Sequence, residues 1–255
     1  MPSSARIGGF LDVSTIDWHG HATFIIFFAG CNFRCPFCSN SPLIPLDSGK
    51  NISLQGLKDK ILENRAFIDA VGFTGGEPTL QPSPLLHLCR WSRRAGFSTF
   101  LNTNGSNPAV IEKLAELGGL DYVALDVKAP LVPSRYARVS GLQGGESVVL
   151  GITRTLEVCS RMGIPVEART TIVPGLIDAE EDVRSIARAV KACDSYVVQQ
   201  FYPFKEVLDL RLRDALPPRR EFLLGLARQA LAVGLERVFV RTRDHGLEMV
   251  GSVRS

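Results

Sequence analysis

Seven short apolar segments, separated by stretches of helical periodicity, constrain this chain more than any other feature. They lie at residues 23–28, 70–74, 98–101, 122–125, 166–172, 196–201 and 237–241, and are rich in β-branched and aromatic side chains. Between them apolar residues recur at helical spacing. Leu54, Leu57, Ile61 and Ile68 do so before the second segment, Ile111, Leu114 and Leu117 after the third, and Val183, Ile186 and Val190 after the fifth. Asn107 followed by Pro108 reads as an N-cap and first helical residue. Asp178 reads as the cap of a helix with Glu180 and Glu181 in its first turn, where the dipole favours them. A last helix over 222–233 ends at Gly234, and residues 6–15 read as a small N-terminal hairpin. Strands alternating with helices at this rhythm make a parallel sheet with right-handed crossovers. The 255 residues, 45% of them hydrophobic, suit one α/β domain over 1–255, a partial (β/α)6 TIM-like barrel with its core at about 22–241. In such a barrel the chemistry sits at the C-terminal ends of the strands. Every unusual motif of this chain falls just after a strand.

Charge excludes some functions. The formal net charge is +3 without a block of basic residues, so no nucleic-acid footprint is visible. The longest apolar run, residues 22–30, is too short to span a bilayer, and it lacks the flanks of a signal peptide. These features predict a cytoplasmic protein with no membrane partner and with reduced thiols. Three of its six cysteines fall within eight residues, whereas Cys89, Cys159 and Cys193 are scattered and read as buried thiols.

The trio is Cys31-Asn-Phe-Arg-Cys35-Pro-Phe-Cys38, directly after the first predicted strand. Thiolates at spacings of four and three on one loop suit an iron–sulfur cluster or zinc. A structural zinc site wants a fourth ligand, and no second C-x-x-C pair exists. A cubane held by three cysteines leaves one iron open to a further ligand.

Four other strand exits carry polar motifs. Gly75-Gly76-Glu77-Pro78 follows the second strand, where glycines let backbone approach a ligand closely. Asn102-Thr103-Asn104-Gly105 follows the third and carries a turn signal. Asp126 and Lys128 follow the fourth; two apart on extended chain, they point to the same side and can grip one polar ligand. Arg169 on the fifth strand can make a bidentate contact with a carboxylate, or pair with its neighbour Glu167.

The C-x3-C-x-aromatic-C loop after a first strand, with the GGEP turn after the second, resembles the signature of the radical S-adenosylmethionine (SAM) superfamily. That resemblance implies a [4Fe-4S] cluster on Cys31, Cys35 and Cys38, whose open iron chelates SAM and cleaves it reductively to a 5′-deoxyadenosyl radical. It places Phe37 beside the adenine and has Gly75, Gly76 and Glu77 receive the SAM amino group. The stretch at Asn102 and Thr103 resembles an Asp-Thr-Asn-Gly segment of the glycyl-radical-enzyme activases, where the acid helps hold a monovalent cation. Asp126 and Lys128 resemble their D-x-K contact to SAM, and Arg169 the arginine that binds the SAM carboxylate. Lys205 stands where activases acting on pyruvate formate-lyase carry a histidine. Gly8-Gly9-Phe10 and Ser14-Thr15-Ile16-Asp17 resemble the start of the anaerobic ribonucleoside-triphosphate reductase activating proteins. In that group a histidine and then Asn-Pro follow the last cysteine; this chain reads Ser39-Asn40-Ser41-Pro42.

The resemblance implies an enzyme that places a glycyl radical on a partner, anaerobic ribonucleotide reductase. No ferredoxin-like module with further cysteine clusters is visible, which implies an external reductant such as flavodoxin or ferredoxin. The alternatives are a radical SAM enzyme acting on a small molecule, of the deazaguanine-synthase kind, and a non-catalytic iron–sulfur or zinc protein. A peptide substrate predicts an open mouth. With the strand-end motifs assigned to SAM, little convergent charge is expected for a second ligand.

Overall fold

The computed structural model describes residues 2–251. Its strands are β1 (Ser4–Ser14), β2 (Thr23–Phe28), β3 (Lys50–Ser53), β4 (Ala70–Gly75), β5 (Ser98–Thr103), β6 (Tyr122–Asp126), β7 (Val166–Ile172), β8 (Ser195–Gln200), β9 (Val238–Thr242) and β10 (Gly246–Met249). Its α-helices are α1 (Leu54–Glu63), α2 (Pro82–Arg94), α3 (Pro108–Glu116), α4 (Pro133–Ser140), α5 (Glu146–Met162), α6 (Glu180–Ala189) and α7 (Arg220–Ala232). All ten strands join one sheet in the order β10-β9-β8-β7-β6-β5-β4-β2-β1-β3. From β2 to β9 every neighbouring pair is parallel, so the parallel part has seven strands rather than six. Antiparallel strands flank it: β10 on one side, β1 and β3 on the other. The ends of this order do not pair with each other, which leaves the barrel partial.

The strands read as continuous apolar runs because both faces are covered. One set of alternating side chains, including Phe24, Ile26, Phe28, Val71, Phe73 and Val123, packs in the main core with residues of the helices. The opposite set, Ile25, Phe100 and Ala124, packs with Trp18 and Tyr122 in a smaller inner core. Trp18 stacks on Tyr122 at 5.1 Å and lies 5.9 Å from Phe100, so apolar rings occupy this inner side. Each such ring or branched chain removed from water contributes about 1.5–3 kcal/mol.

Several local expectations are corrected. Residues 6–15 are not a hairpin but most of one long strand, β1, between β2 and β3. Gly8-Gly9 mimics a turn signal yet lies inside the strand, at a shift of register between Ile7 and Gly9. A Cβ on Gly8 would meet the tip of the Leu43 side chain at 2.3 Å, so Leu43 would have to shift to admit one. Ile68 lies beyond α1, and Leu117 is the C-cap of α3. Asn107 occupies the N-cap position of α3, but its amide turns to Thr79 instead of capping. Asp178 accepts the Gly175 N–H at 2.7 Å, and Ala179 takes the cap position of α6. In the first case a tertiary acceptor and in the second a turn donor takes the side chain from the helix end.

Candidate active site

The cysteine loop leaves β2 and is fixed at both ends by backbone hydrogen bonds. Gly30 N donates to Leu43 O at 2.7 Å, Cys31 N to Ile44 O at 3.0 Å, and Arg34 N to Ser140 O at 2.8 Å. Cys31, Cys35 and Cys38 all face one cavity of about 870 Å³ at the C-terminal ends of the strands, a size within the range of ligand clefts. Burial pushes the Cys31 thiol up to about 11 and the Cys35 thiol to about 12, and raises Cys38 as well. Thiolates on this loop therefore need a metal to draw the protons off. Among the described residues no three His, Cys, Asp or Glu side chains converge on a single metal ion. Three thiols lining one cavity are the soft donors that an iron–sulfur cluster takes. Cys89 and Cys159 are buried in the main core, and Cys193 packs against it.

The GGE turn follows β4. Gly75 has φ +118°, and a Cβ there would meet Phe28 backbone atoms at 2.3 and 2.4 Å; one on Gly76 would meet Gly30 O at 2.2 Å. Gly76 N donates to Phe28 O and Glu77 N to Gly30 O, at 2.8 and 2.7 Å. Both glycines line the cavity, yet their first task is to let this turn lie directly on the chain that leads into Cys31.

Glu77 makes its contacts within the protein. It is fully buried, and its carboxylate accepts from Thr79 N at 3.1 Å, Thr79 Oγ1 at 2.6 Å, Thr103 Oγ1 at 2.8 Å and Asn104 N at 2.8 Å. Burial raises its pKa and these donors pull it partly back. The side chain does not line the cavity; it ties the β4 exit to the β5 exit. Asn104 extends the tie, donating from Nδ2 to Asn32 Oδ1 at 2.9 Å, while Asn32 Nδ2 donates to Ser106 Oγ at 2.9 Å. Three strand exits are thus locked together behind the cysteine loop. Asn104 belongs to the turn motif after the third strand and Asn32 to the cysteine loop, but nothing local in the sequence pairs the two.

The other expected residues do meet at the cavity. Phe37, Asn102, Thr103, Asp126, Lys128 and Arg169 all line it. Asn102 donates from Nδ2 to Thr74 Oγ1 at 3.2 Å, while its Oδ1 is buried without a partner among the described residues. A buried acceptor left unpaired on a cavity wall is a place where a ligand donor fits. Lys128 Nζ lies 3.2 Å from Asp126 Oδ2 and 5.9 Å from the centre of the Phe37 ring. Burial opposes its charge, but Asp126 and Cys35 hold its pKa above the ordinary lysine value. Tyr136 of α4, fully buried, accepts the Lys128 N–H at 3.3 Å and so braces this turn. Lys205 is exposed and does not line the cavity.

Arg169 is buried. Its Nε donates to Glu167 Oε1 and its Nη2 to Asp17 O, the latter at 2.8 Å, so the anticipated pairing with Glu167 is present. Nη1 makes no hydrogen bond among the described residues and remains to meet a ligand. The expectation of little further charge is corrected: Arg241 and Arg243 line the same cavity from β9 and its exit. Arg241 ends the last predicted strand and Arg243 lies two residues beyond it, and neither belongs to a recognised motif. Thiol donors, a buried orphan acceptor and paired charges on one wall fit a cluster with SAM beside it.

The radical SAM superfamily pattern matches residues 25–189. The chain is 35% identical over 246 residues to a protein of Methanocaldococcus jannaschii named as a candidate glycyl-radical enzyme activating enzyme, covering 96% of this chain and 99% of that one. It is 28% identical to the pyruvate formate-lyase-activating enzyme of Clostridium pasteurianum, covering 82% and 90%. Among solved structures it resembles a radical SAM methyltransferase from Sphaerobacter thermophilus, with a TM-score of 0.68, 16% identity and coverage of 88% and 67%, a likeness of fold alone. With its fold, its cysteine loop and these relatives, the chain belongs to the radical SAM superfamily, in the branch of the glycyl-radical-enzyme activating enzymes.

Proposed function

We propose that this protein places a glycyl radical on anaerobic ribonucleotide reductase, using a [4Fe-4S] cluster on Cys31, Cys35 and Cys38 together with SAM. The observation that carries the reading is the convergence of these three thiols with Phe37, Gly76, Asn102, Asp126, Lys128 and Arg169 on one cavity. When bound, cluster and SAM supply one-electron chemistry that amino-acid side chains lack. The chain's own residues bind, orient and exclude water. The Arg169 guanidinium, steadied by Glu167, presents Nη1 to the SAM carboxylate. Lys128 and Asp126 hold a polar group as a pair, and the free Oδ1 of Asn102 accepts a ligand N–H or O–H. Glu77 acts one step back, holding the GGE turn whose backbone faces the SAM amino group.

The N-terminal Gly8-Gly9-Phe10 and Ser14–Asp17 motifs support ribonucleotide reductase as the partner. An external one-electron donor such as flavodoxin or ferredoxin reduces the cluster, and the setting is the cytoplasm. Among the described residues no helix is long and apolar enough to cross a membrane. The test is anoxic incubation of the reduced, reconstituted protein and SAM with the host's anaerobic ribonucleotide reductase, read by EPR. A glycine-centred doublet, lost when the partner's candidate glycine becomes alanine, is the expected result. No radical on the partner, beside turnover of a small metabolite, would sink the reading.

A further inference from the structure

The wall of the cavity formed by β8, β9 and β10 has no role in the reading above, yet it carries charge. Arg241 on β9 and Arg243 in the turn that follows it both line the cavity. Arg241 Nη1 donates to Gln199 Oε1 at 3.2 Å, from the paired position on β8. Its Nη2 stands 3.7 Å from Glu167 Oε1, beyond hydrogen-bond distance, because that oxygen is taken by Arg169. Burial and the neighbouring Arg169 charge depress the Arg241 pKa, so a positive charge is held there against opposition. The Arg243 guanidinium lies 4.2 Å from the centre of the Tyr202 ring, and its backbone N–H donates to Gln200 Oε1 at 3.0 Å. Among the described residues Arg243 makes no ion pair.

The remaining charges near this cavity are accounted for. Asp126 holds Lys128, Glu167 holds Arg169, and the Asp17 carboxylate accepts from Ser14 Oγ at 2.5 Å. Four cations, Lys128, Arg169, Arg241 and Arg243, therefore face three carboxylates, Asp17, Asp126 and Glu167. If Arg169 serves the SAM carboxylate, Arg241 and Arg243 are the cations left on this wall, and a guanidinium fork suits a carboxylate. Phe204, which also lines the cavity, is 47% exposed, so an apolar ring stands beside the fork, as a peptide segment would use.

We propose that Arg241 and Arg243, with Gln199 steadying the first, form a subsite for a carboxylate on the substrate segment, an acidic side chain close to the target glycine. The proposal rests on the activase reading and names what this cavity recognises in its partner.

The experiment uses cluster-loaded protein saturated with SAM under anoxic conditions. It is titrated by calorimetry with two blocked pentapeptides, acetyl-Ala-Glu-Gly-Ala-Ala-amide and the same peptide with glutamine for glutamate. The glutamate peptide is expected to bind about tenfold or more tightly, as a charge-assisted contact gives. Arg243→Gln and Arg241→Gln should each erase most of that difference. Arg241 is largely buried beside Glu167; should that variant not fold, the exposed Arg243 decides alone. Equal affinity of the two peptides, or no binding of the glutamate peptide at millimolar concentration, overturns the subsite. Loss of SAM affinity in Arg241→Gln with the peptide difference intact reassigns Arg241 to SAM and overturns it too. Free glutarate binding more tightly than the glutamate peptide would make the ligand a small acid instead. The two readings fail separately. A glycyl doublet without a peptide difference sinks the subsite alone. A peptide difference without a doublet on any partner sinks the activase reading.

Discussion

Glu77 offers the sharpest test of cause within this site, because the resemblance makes it a SAM contact and the structure makes it a strut. Glu77→Ala leaves two buried backbone N–H groups, of Thr79 and Asn104, without an acceptor. Each such orphan costs about 1–3 kcal/mol. The hydroxyls of Thr79 and Thr103 can rotate to other acceptors, but the vacated volume adds its own penalty. The expected loss is about 3–6 kcal/mol, a large share of the ~5–15 kcal/mol that holds a domain together. Glu77→Gln keeps the volume. Its amide oxygen can still serve the three donors at Oε1, while its NH2 is turned against the Asn104 N–H, which sits 2.8 Å from Oε2 in the parent. One donor is then unmet, at a cost of about 1–3 kcal/mol.

Urea unfolding of the cluster-free protein should therefore rank parent above Gln and Gln above Ala. Glu63→Ala, on an exposed face, should stay within about 0.5 kcal/mol of the parent. In the cluster-loaded protein the Gln variant should keep SAM affinity within a few-fold, since the turn is held, if less firmly. The opposite pattern would refute the strut. Parent-like unfolding of both variants, with SAM affinity reduced more than about tenfold (~1.4 kcal/mol), would return the Glu77 carboxylate to the SAM site.

The remaining predictions address the metal, the anion contact and the turn. Replacing any of Cys31, Cys35 or Cys38 by Ala should abolish a four-iron cluster measured by iron content and EPR, while Cys89, Cys159 and Cys193 variants should retain it; a cluster lost with Cys193 but kept without Cys38 would overturn the ligand set. Arg169→Ala should weaken SAM binding about tenfold to a hundredfold, against no change for Arg161→Ala, whose partner Glu112 is on the surface; equal affinities would confine Arg169 to its pairing with Glu167. Gly76→Ala puts a methyl 2.2 Å from Gly30 O, against open space at Gly9. It should yield insoluble protein or an unfolding free energy lowered by about 3 kcal/mol or more, the range of severe packing faults, and a soluble variant with parent stability would refute the packing argument.

Legibility in the sequence followed how local each signal is. The buried parallel strands stood out because a segment covered on both faces must be apolar throughout, and 166–172 was read with the bounds of β7. The cysteine loop and the D-x-K pair could be read because their partners sit within a few residues. What escaped depends on contacts between distant segments. Residues 6–15 look like a hairpin until β2 and β3 are seen on either side of β1. Asn107 looks like a cap until Thr79 competes for it. The donors that surround Glu77 include Thr103 and Asn104, which arrive from another strand. Arg241 and Arg243 form no local motif; their meaning comes from Gln199, Glu167 and Tyr202, between about 40 and 75 residues away in the chain.

These long-range contacts divide the barrel by task. The inner rings of Trp18, Phe100 and Tyr122 form an apolar floor around the first residues of β5 and β6, and the polar groups of the cavity, from Arg169 midway along β7 onward, lie towards the C-terminal side. There the exits from β2, β4 and β5 are bound into one unit by Gly76, Glu77, Asn104 and Asn32. A cluster held on that unit would keep a fixed position relative to Asn102 and Thr103, whichever substrate binds. The exits of β8 and β9 carry no comparable ties to the cysteine loop; the segment after β8 touches it through Asp209 N, which donates to Pro36 O at 2.9 Å, and through Ser41 Oγ, which donates to Glu206 O. Rigid chemistry on one side and a lightly tethered wall bearing Arg241 and Arg243 on the other is the arrangement expected where a constant radical source must accept a variable partner. Substitutions on the β8–β9 wall should therefore change which substrate reacts, and substitutions in the β2–β5 unit whether anything reacts at all.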